Sequence, residues 1–218
     1  MKSTIIIMAK VPRAGNVKTR LQPYLSPAQC VALSEAFLED AINKAQSRTN
    51  DLIIAFSPSS ERDYFTKFEN KKFTLVAQTG KNLGGKMFNA FQFAFEHDSD
   101  AVVMIGTDSP TFPSEFIDSA FENLQNSDAV LGESENGGFY LIGLRTLRKE
   151  IFADVEWSSA KTFEQTTQNI KNIELKLFRL PIWFDVDVPE DLFKLRNDLT
   201  ENSDIAPKTF HWLKKMVF

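Results

Sequence analysis

The sequence predicts a three-layer α/β/α fold built on a mixed, mostly parallel sheet, and three observations lead to that fold class. Between residues 4 and 131, short apolar runs alternate with segments of helical periodicity, which is the pattern of βαβ units. The run 101–105 is apolar throughout, as expected for a strand buried on both faces of such a sheet. After Gly132 the alternation breaks, because two strands follow each other through a glycine turn, and this favours an antiparallel addition.

The first half of the chain carries a local signal for each element. The β-branched, apolar run 4–9 predicts the first strand. Ser26 fits a helix N-cap, Pro27 its first turn, and Gln29 completes a capping box, so a helix begins here and continues at helical spacing to Ala45. The other elements predicted in this half are strands at 52–56, 73–77 and 101–105, a short helix at 60–68, and helices from Leu83 and from Pro113.

The second half is predicted to hold strands at 128–131, 139–144 and 174–180 and helices at 159–171 and from Pro189. The 20 phenylalanines indicate a large aromatic core. Because no repeat or composition shift divides the chain, a single domain over 1–218 is predicted, with its core at about 4–200. The tail 205–218 carries apolar residues among three lysines, so it packs either on the core or against the partner subunit of a homodimer.

Composition excludes several functional classes. A net charge of −4 without a long basic run argues against a nucleic-acid partner. One cysteine, Cys30, and two histidines disfavour a disulfide or a structural zinc site, and Cys30 is predicted to be buried. No apolar stretch approaches the roughly 20 residues that cross a bilayer, and the run 5–9 is too short for a signal peptide. No membrane partner and a cytoplasmic location are therefore expected.

The loop after the first strand is the strongest electrostatic signal. Four cations fall within eleven residues around Gly15, namely Lys10, Arg13, Lys18 and Arg20. A loop with exposed amides and several cations suits a polyphosphate. Gly15 lies three residues before Lys18, so the loop is not a Walker A motif and a P-loop NTPase is disfavoured. A solvated basic loop without a ligand is the alternative interpretation.

Two carboxylates are candidate metal ligands. Asp108 follows the predicted central strand, at the edge where open α/β sheets bind their ligands. Asp185 and Asp187 alternate along an extended segment and face the same side. Asp108 and Asp187 are predicted to hold Mg²⁺ (or Mn²⁺), which takes one or two protein carboxylates and completes its shell with water and phosphate oxygens. Alternatively, Asp108 caps the following turn and Asp187 caps the helix at Pro189.

Two glycine-containing segments are weaker candidates. Gly84 and Lys86 open a helix whose amides suit an anion, so they are assigned to the nucleotide. Asn136, Gly137 and Gly138 allow a backbone to approach a ligand closely, and they are assigned to the second substrate. An ordinary turn explains the paired glycines as well.

Six motifs in order resemble a bacterial family of uncharacterised glycosyltransferase-like proteins, some labelled as radical-SAM- or selenodomain-associated transferases. That family lies in the nucleotide-diphospho-sugar transferase superfamily, which has the GT-A fold, and the resemblance covers roughly residues 4–196. The segment 18–21 is also similar to phospholactate guanylyltransferase and, more distantly, to the molybdenum-cofactor guanylyltransferase. The six motifs are 10–12 with 15–21, 83–84 with 86–87, 106–110, 137–143, 157–158 and 185–192.

The resemblance implies that the first loop holds the phosphates of a nucleoside triphosphate and that acids at the positions of Asp108 and Asp187 bind the metal. Two departures from the family pattern stand out. Asn136 replaces the family's usual Asp, which puts activity in doubt if that acid takes part in the chemistry. Ser109 replaces its usual Cys. Glycosyltransferases of this fold commonly use Asp-x-Asp, and Asp108-Ser109-Pro110 lacks the second acid, which favours nucleotidyl transfer.

Three hypotheses follow. The leading one is a Mg²⁺-dependent nucleotidyltransferase that joins a nucleoside triphosphate to a phosphorylated small acceptor, with Lys18, Arg20 and Asp108 as the catalytic residues. The second is a glycosyltransferase that uses a nucleotide sugar through the same site. The third is a nucleotide-binding protein without turnover, suggested by Asn136 and the apolar tail.

Overall fold

A computed structural model describes residues 2–49, 51–68 and 71–216. Its seven strands form one sheet: β1 (Ser3–Lys10), β2 (Asp51–Ser57), β3 (Thr74–Ala77), β4 (Ala101–Ile105), β5 (Ala129–Ser134), β6 (Phe139–Leu144) and β7 (Leu177–Trp183). The strand order is β3-β2-β1-β4-β6-β5-β7. Only β6 runs antiparallel to its neighbours, β4 and β5, while the other pairs are parallel. The predicted mixed, mostly parallel sheet with an antiparallel addition after Gly132 is confirmed.

The helices are α1 (Pro27–Gln46), α2 (Leu83–Glu96), α3 (Glu115–Asn123), α4 (Thr162–Asn172), α5 (Pro189–Glu201) and α6 (Pro207–Lys214). They cover both faces of the sheet. One apolar cluster joins α1 and α3 to one face, and a second joins α2 and α4 to the other. Along β4 the side chains alternate between the two clusters and each is at most 2% exposed. The continuous apolar run 101–105 is therefore a strand covered on both sides, as predicted.

The start of α1 follows from its sequence. The hydroxyl of Ser26 accepts a hydrogen bond from the amide of Gln29, while the side chain of Gln29 accepts one from the amide of Ser26, so the predicted capping box is present. The outer face of α1 packs on α5 and α6 in a third apolar cluster, which includes Cys30. Cys30 is buried, as predicted.

Several boundaries differ from the sequence-based prediction. The helix expected from Pro113 begins at Glu115, and the one expected from residue 159 begins at Thr162. The last strand, predicted over 174–180, runs over Leu177–Trp183 and contains Pro181. Pro181 is tolerated because β7 is the edge strand, where a missing N–H leaves no partner unpaired. The segment predicted as a helix over 60–68 is a 3₁₀ segment over Ser59–Phe68.

The C-terminal tail packs on its own chain. Buried Asp40 of α1 accepts hydrogen bonds from the amides of Lys208 and Thr209, at 3.0 and 2.8 Å, and from the Thr209 hydroxyl at 2.7 Å. Of the two alternatives for the tail, the structure has it on the core; Val217 lies outside the described residues. Within residues 2–49, 51–68 and 71–216, none of the helices combines the length and apolarity that crossing a membrane requires.

Candidate active site

A cavity of about 470 Å³ opens at the carboxyl ends of β1 and β4. Three groups of side chains in its lining bear on function. Cations come from the first loop, carboxylates follow β4 and β7, and an apolar wall includes three methionines. These residues are Lys10, Lys18 and Arg20; Asp108 and Asp187; and Met8, Met87, Met104, Phe139 and Ile142. The sheet thus brings a cationic loop and two acids to the edge where ligands of open α/β sheets bind.

Lys18 lies at the centre of the polar side of this cavity. Its side chain is only 6% exposed, and its ammonium forms an ion pair with Asp108 and lies 3.4 Å from Asp187 Oδ1. It also donates a hydrogen bond to the carbonyl of Val186 at 2.7 Å. Burial alone would lower the pKa of Lys18, but the attraction of Asp108 and then Asp187 outweighs it, so the pKa is raised. A permanently charged ammonium therefore bridges two carboxylates.

The backbone of Lys18 is in the left-handed region, with φ 48° and ψ 38°. For a residue other than glycine this conformation costs about 1–2 kcal/mol. A 3₁₀ turn over Thr19–Leu21 begins directly after it and anchors on Leu21, which is fully buried. Backbone strain of this kind is common at functional sites.

Asp108 and Asp187 are brought together by backbone and side-chain bonds between distant segments. The carbonyl of Asp108 accepts a hydrogen bond from the amide of Val186 at 2.8 Å. The hydroxyl of Ser109 donates to the carboxylate of Asp185. The side chain of Asp108 remains 52% exposed and that of Asp187 34% exposed, so both carboxylates stay accessible to a ligand in the cavity.

Neither acid acts as a helix cap. The amides of Asp187 and Val188 donate to the side chain of Asp191, at 2.8 and 2.9 Å, so Asp191 caps α5. The N-cap of α3 is Ser114, without a side-chain cap. The alternative interpretation, in which Asp108 and Asp187 serve as caps, is therefore wrong.

Asn136 connects Asp185 to Asp187. Its amide nitrogen lies 2.9 Å from Asp185 Oδ2 and 3.5 Å from Asp187 Oδ2, and its oxygen accepts from the amide of Gly138 at 2.9 Å. Burial raises the pKa of Asp185, the hydrogen bond from Ser109 opposes this, and the charge of Asp108 adds to it. Asp185, which the sequence placed only as a neighbour of Asp187, is a supporting acid beneath the cavity.

Of the other predicted binding residues of the first loop, some line the cavity and others lie outside it. Lys10 lines it, although its ammonium donates to the carbonyl of Asn16 at 2.6 Å. Arg20 lines it and is exposed. Arg13 instead forms an ion pair with Glu61 on the surface. Gly15 has φ +81° and open space around it.

Gly84 and Gly137 are required by contacts within the chain. A Cβ atom on Gly84 would lie 2.6 Å from the ring of Trp157. Gly137 has φ +82°, and a Cβ there would overlap the backbone of Ala160. These two glycines allow the segment 157–160 to pack closely. Neither these two glycines nor Lys86 and Gly138 line the cavity. Leu83 and Met87, which belong to the same helix as Lys86, do line it.

Gln78 is a cavity residue that the sequence analysis missed. Its amide nitrogen donates to the carbonyls of Ala9 and Ala55, at 3.2 and 2.8 Å, which fixes the side chain at the end of β3. The available signal was its position directly after a predicted strand. The apolar wall was missed because Met8, Met87 and Met104 read as core residues in the sequence.

The described residues contain no cluster of three or more His, Cys, Asp or Glu side chains arranged to hold a metal ion. Asp108 and Asp187 form a pair whose shared neighbour is the Lys18 ammonium.

A family model described as "Uncharacterized protein conserved in bacteria (DUF2064)" matches residues 41–159. The chain belongs to this family. The matched region contains Asp108 and Asn136, whereas the first loop and Asp187 lie outside it.

Relatives with functional names extend the comparison. The 2-phospho-L-lactate guanylyltransferase of Methanosphaera stadtmanae is 23% identical over 206 residues, which cover 91% of this chain and 88% of the relative. A crystal structure from Desulfovibrio desulfuricans G20, provisionally named a nucleotide-diphospho-sugar transferase, is 31% identical with a TM-score of 0.91 and covers 99% of this chain and 95% of that one. The predicted GT-A-like fold and the resemblance to both groups are confirmed, and the chain is a transferase.

The likeness of fold reaches more distant enzymes. The 4-diphosphocytidyl-2C-methyl-D-erythritol synthase of Anaerococcus prevotii has a TM-score of 0.60 at 11% identity, over 91% of this chain and 99% of that one. At this identity the likeness concerns the fold alone.

Proposed function

We propose that this protein is a Mg²⁺-dependent nucleotidyltransferase, which transfers a nucleoside monophosphate group from a nucleoside triphosphate to a phosphorylated small acceptor. The observation that carries the proposal is the buried Lys18 ammonium between Asp108 and Asp187, in a cavity whose wall also holds Lys10 and Arg20. Cations beside accessible carboxylates match the needs of a metal-bound polyphosphate. The named guanylyltransferase relative adds support.

The donor set of the cavity fits Mg²⁺, or Mn²⁺ in its place. Lys18 engages one oxygen of each carboxylate, and both carboxylates remain partly exposed. Asp108 and Asp187 would hold the ion, because Mg²⁺ needs only one or two protein carboxylates when phosphate oxygens and water complete its shell. When bound, the ion would neutralise charge on the phosphates.

The transfer requires positioning and electrostatic stabilisation more than a protein nucleophile. An oxygen of the acceptor phosphate attacks the α-phosphorus and forms a new P–O bond. The bond from the α-phosphorus to the oxygen that bridges it to the β-phosphorus breaks, and pyrophosphate leaves with that electron pair. Lys18 and Arg20 would stabilise the negative charge that develops on the phosphate oxygens. Lys18 is suited to this role because its raised pKa keeps it charged.

The proposal is tested by incubating the protein with each nucleoside triphosphate, Mg²⁺ and a panel of small phosphorylated acids, and measuring pyrophosphate release. Release that requires Mg²⁺ and is lost in Asp108→Asn is expected. Asp118→Asn is the matched control, because Asp118 is a partly exposed acid of α3 that pairs with Arg48 away from the cavity. Failure of every nucleotide and acceptor, or full release by Asp108→Asn, would contradict the proposal.

Glycosyl transfer is the second candidate, because the Desulfovibrio relative carries a nucleotide-diphospho-sugar transferase name. Thermal-shift measurements separate the two. Greater stabilisation by nucleoside triphosphates with Mg²⁺ than by UDP- or GDP-sugars with Mn²⁺ supports nucleotidyl transfer, and the reverse order supports glycosyl transfer. Nucleotide binding without any turnover would instead support the silent binding protein.

A further inference from the structure

Lys44 is a second buried lysine, and it lies outside the cavity. It is only 7% exposed, in α1 one turn after Asp40. Its ammonium donates to the carbonyl of Pro110 at 2.8 Å and to the carbonyl of Phe112, and it lies 4.0 Å from the centre of the Phe112 ring. Lysine is almost never buried without a partner. Its partners here are two backbone carbonyls and an aromatic ring.

Both carbonyls belong to the segment that directly follows Asp108. The same segment is also bonded to residues at and just after the end of β7 by three hydrogen bonds. These are the amide of Val186 to the carbonyl of Asp108, the hydroxyl of Ser109 to Asp185, and the indole N–H of Trp183 to the Thr111 hydroxyl at 3.4 Å. Residues 108–112 are therefore bonded both to the segment 183–186 and to the side chain of Lys44.

The burial of this ammonium has a measurable consequence. Burial lowers the pKa of Lys44 to about 7, against the opposing attraction of Asp40, Glu115 and Asp198. An apolar side chain of similar size would avoid this desolvation, but it would leave the carbonyls of two buried residues, Pro110 and Phe112, without this donor. A neutral amine still has two N–H groups, so both bonds persist whether or not the lysine is charged.

We infer that Lys44 is a positioning residue, which fixes the backbone of residues 109–112 so that the Asp108 carboxylate stays beside Lys18 and Asp187. Lys44 touches neither the cavity nor the predicted phosphate-binding loop. Its effect on turnover rests on the proposed function, whereas its effect on the backbone of 108–112 does not.

The test compares Lys44→Met and Lys44→Gln with the control Lys71→Met. Lys71 also contacts α1, through the side chain of Asn43, and its ammonium makes no bond to residues 109–112. Lys44→Met is expected to lower kcat by about tenfold to a hundredfold, the size of effect that a misplacement of about 1 Å produces. The KM for the nucleotide should change much less, because the contacts of the first loop are intact. Lys44→Gln is shorter and should lose one carbonyl bond, with a smaller loss of kcat.

Hydrogen exchange on the same proteins measures the backbone directly. Faster exchange is expected in peptides covering 106–112 of both Lys44 variants, with peptides from β2 and β3 unchanged and Lys71→Met like the wild type. Wild-type kcat in folded Lys44→Met, an equal loss in Lys71→Met, or unchanged exchange at 106–112 would overturn the inference. Should Lys44→Met fail to fold, wild-type kcat or unchanged exchange in Lys44→Gln would overturn it.

Failure of the proposed function is distinguishable from failure of this inference. If the wild type releases no pyrophosphate, the proposed reaction is wrong, and stabilisation by Mg²⁺ with a nucleoside triphosphate replaces kcat as the readout. The Mg²⁺-dependent part of that stabilisation should shrink in Lys44→Met and persist in Lys71→Met. Its full retention in Lys44→Met would overturn the positioning role.

Discussion

The regions around Lys18 and Lys44 differ in what surrounds a buried ammonium. Both side chains are almost fully shielded from solvent, and burial by itself lowers the pKa of each. Beside Lys18, two carboxylates reverse that effect and raise the pKa. Lys44 bonds to neutral carbonyls instead, and its pKa falls to about 7. For two lysines that are equally buried, the charge of the partners decides the role. Carboxylate partners keep the lysine charged, whereas neutral carbonyl partners leave it as a hydrogen-bond donor to the backbone.

The largest expected effect comes from removing the cation between the acids. Lys18→Met should lower kcat/KM by about 10²–10³-fold, the usual size for losing one preorganised donor at a developing charge. Pyrophosphate release measures it, and Lys67→Met is the control, because Lys67 pairs with Glu35 away from the cavity. A Lys18→Met enzyme with wild-type kcat/KM would show that the Lys18 ammonium does not stabilise the reacting phosphates.

The second effect concerns Lys44 and pH. Its pKa is about 7 in the folded protein and 10.5 in the unfolded reference, so between these values the unfolded chain binds the extra proton. The free energy of unfolding should therefore rise with pH from about 7 to about 9.5, by at most about 1.4 kcal/mol per pH unit. Urea unfolding across this range measures the slope.

Lys44→Met should lose most of the slope. The lowered pKa of Lys71 leaves a contribution of the same sign, and the raised pKa of Cys30 leaves one of the opposite sign. The raised pKa of Asp40 acts in the acid range above 3.8, and the raised pKa values of Tyr64 and Tyr140 act only above 10. A wild-type curve that is flat between pH 7 and 9.5, or a slope that is undiminished in Lys44→Met, would show that Lys44 is not desolvated as the structure has it.

The third, smaller effect tests whether a negative charge introduced at Asn136 acts on the acids beside Lys18. Asn136→Asp places a carboxylate about where an amide now lies 2.9 Å from Asp185. We expect destabilisation of about 1–3 kcal/mol without a divalent cation, because a hydrogen bond to a charged group is replaced by repulsion between two carboxylates. Adding Mg²⁺ or Mn²⁺ should raise the melting temperature of Asn136→Asp by more than it raises that of the wild type. Equal cation responses in both proteins would argue that position 136 is electrostatically separate from Asp187.

The smallest effect lies next to Lys44. Thr209→Val removes one of three donors to Asp40 while keeping shape. Unfolding free energy should fall by about 1–2 kcal/mol, as for a hydrogen bond to a charged group. Calorimetry measures it, and pyrophosphate release should stay at the wild-type rate. A loss of turnover would mean that α6 influences the cavity.

Much of the fold was predictable because its signals are local. The run 101–105, the capping box at Ser26 and the proline start of α5 each depend on neighbouring residues, and each predicted element is present. The errors lie where tertiary position overrides a local rule, as for Pro181, which breaks a central strand but is tolerated in an edge strand.

The candidate site was predictable in part. Chain position placed Asp108 at a strand end and the cations in one loop, and the structure brings Lys10, Lys18 and Arg20 to one cavity with Asp108 and Asp187. Arg13 looks equivalent to the other cations in the sequence, but Glu61, 48 residues away, takes it to the surface. Gly84 and Gly137 read as ligand contacts, and only the fold reveals Trp157 and Ala160 against them.

By itself, the sequence determined which segments form strands and helices and that Asp108 follows the central strand, because periodicity and end signals act within a few residues. Only the tertiary structure decided the environments of the two lysines. Lys18 meets Asp187 across 169 residues and Lys44 meets Pro110 across 66. A pKa depends on the charges and solvent within a few ångströms, and those neighbours exist only once the sheet has assembled.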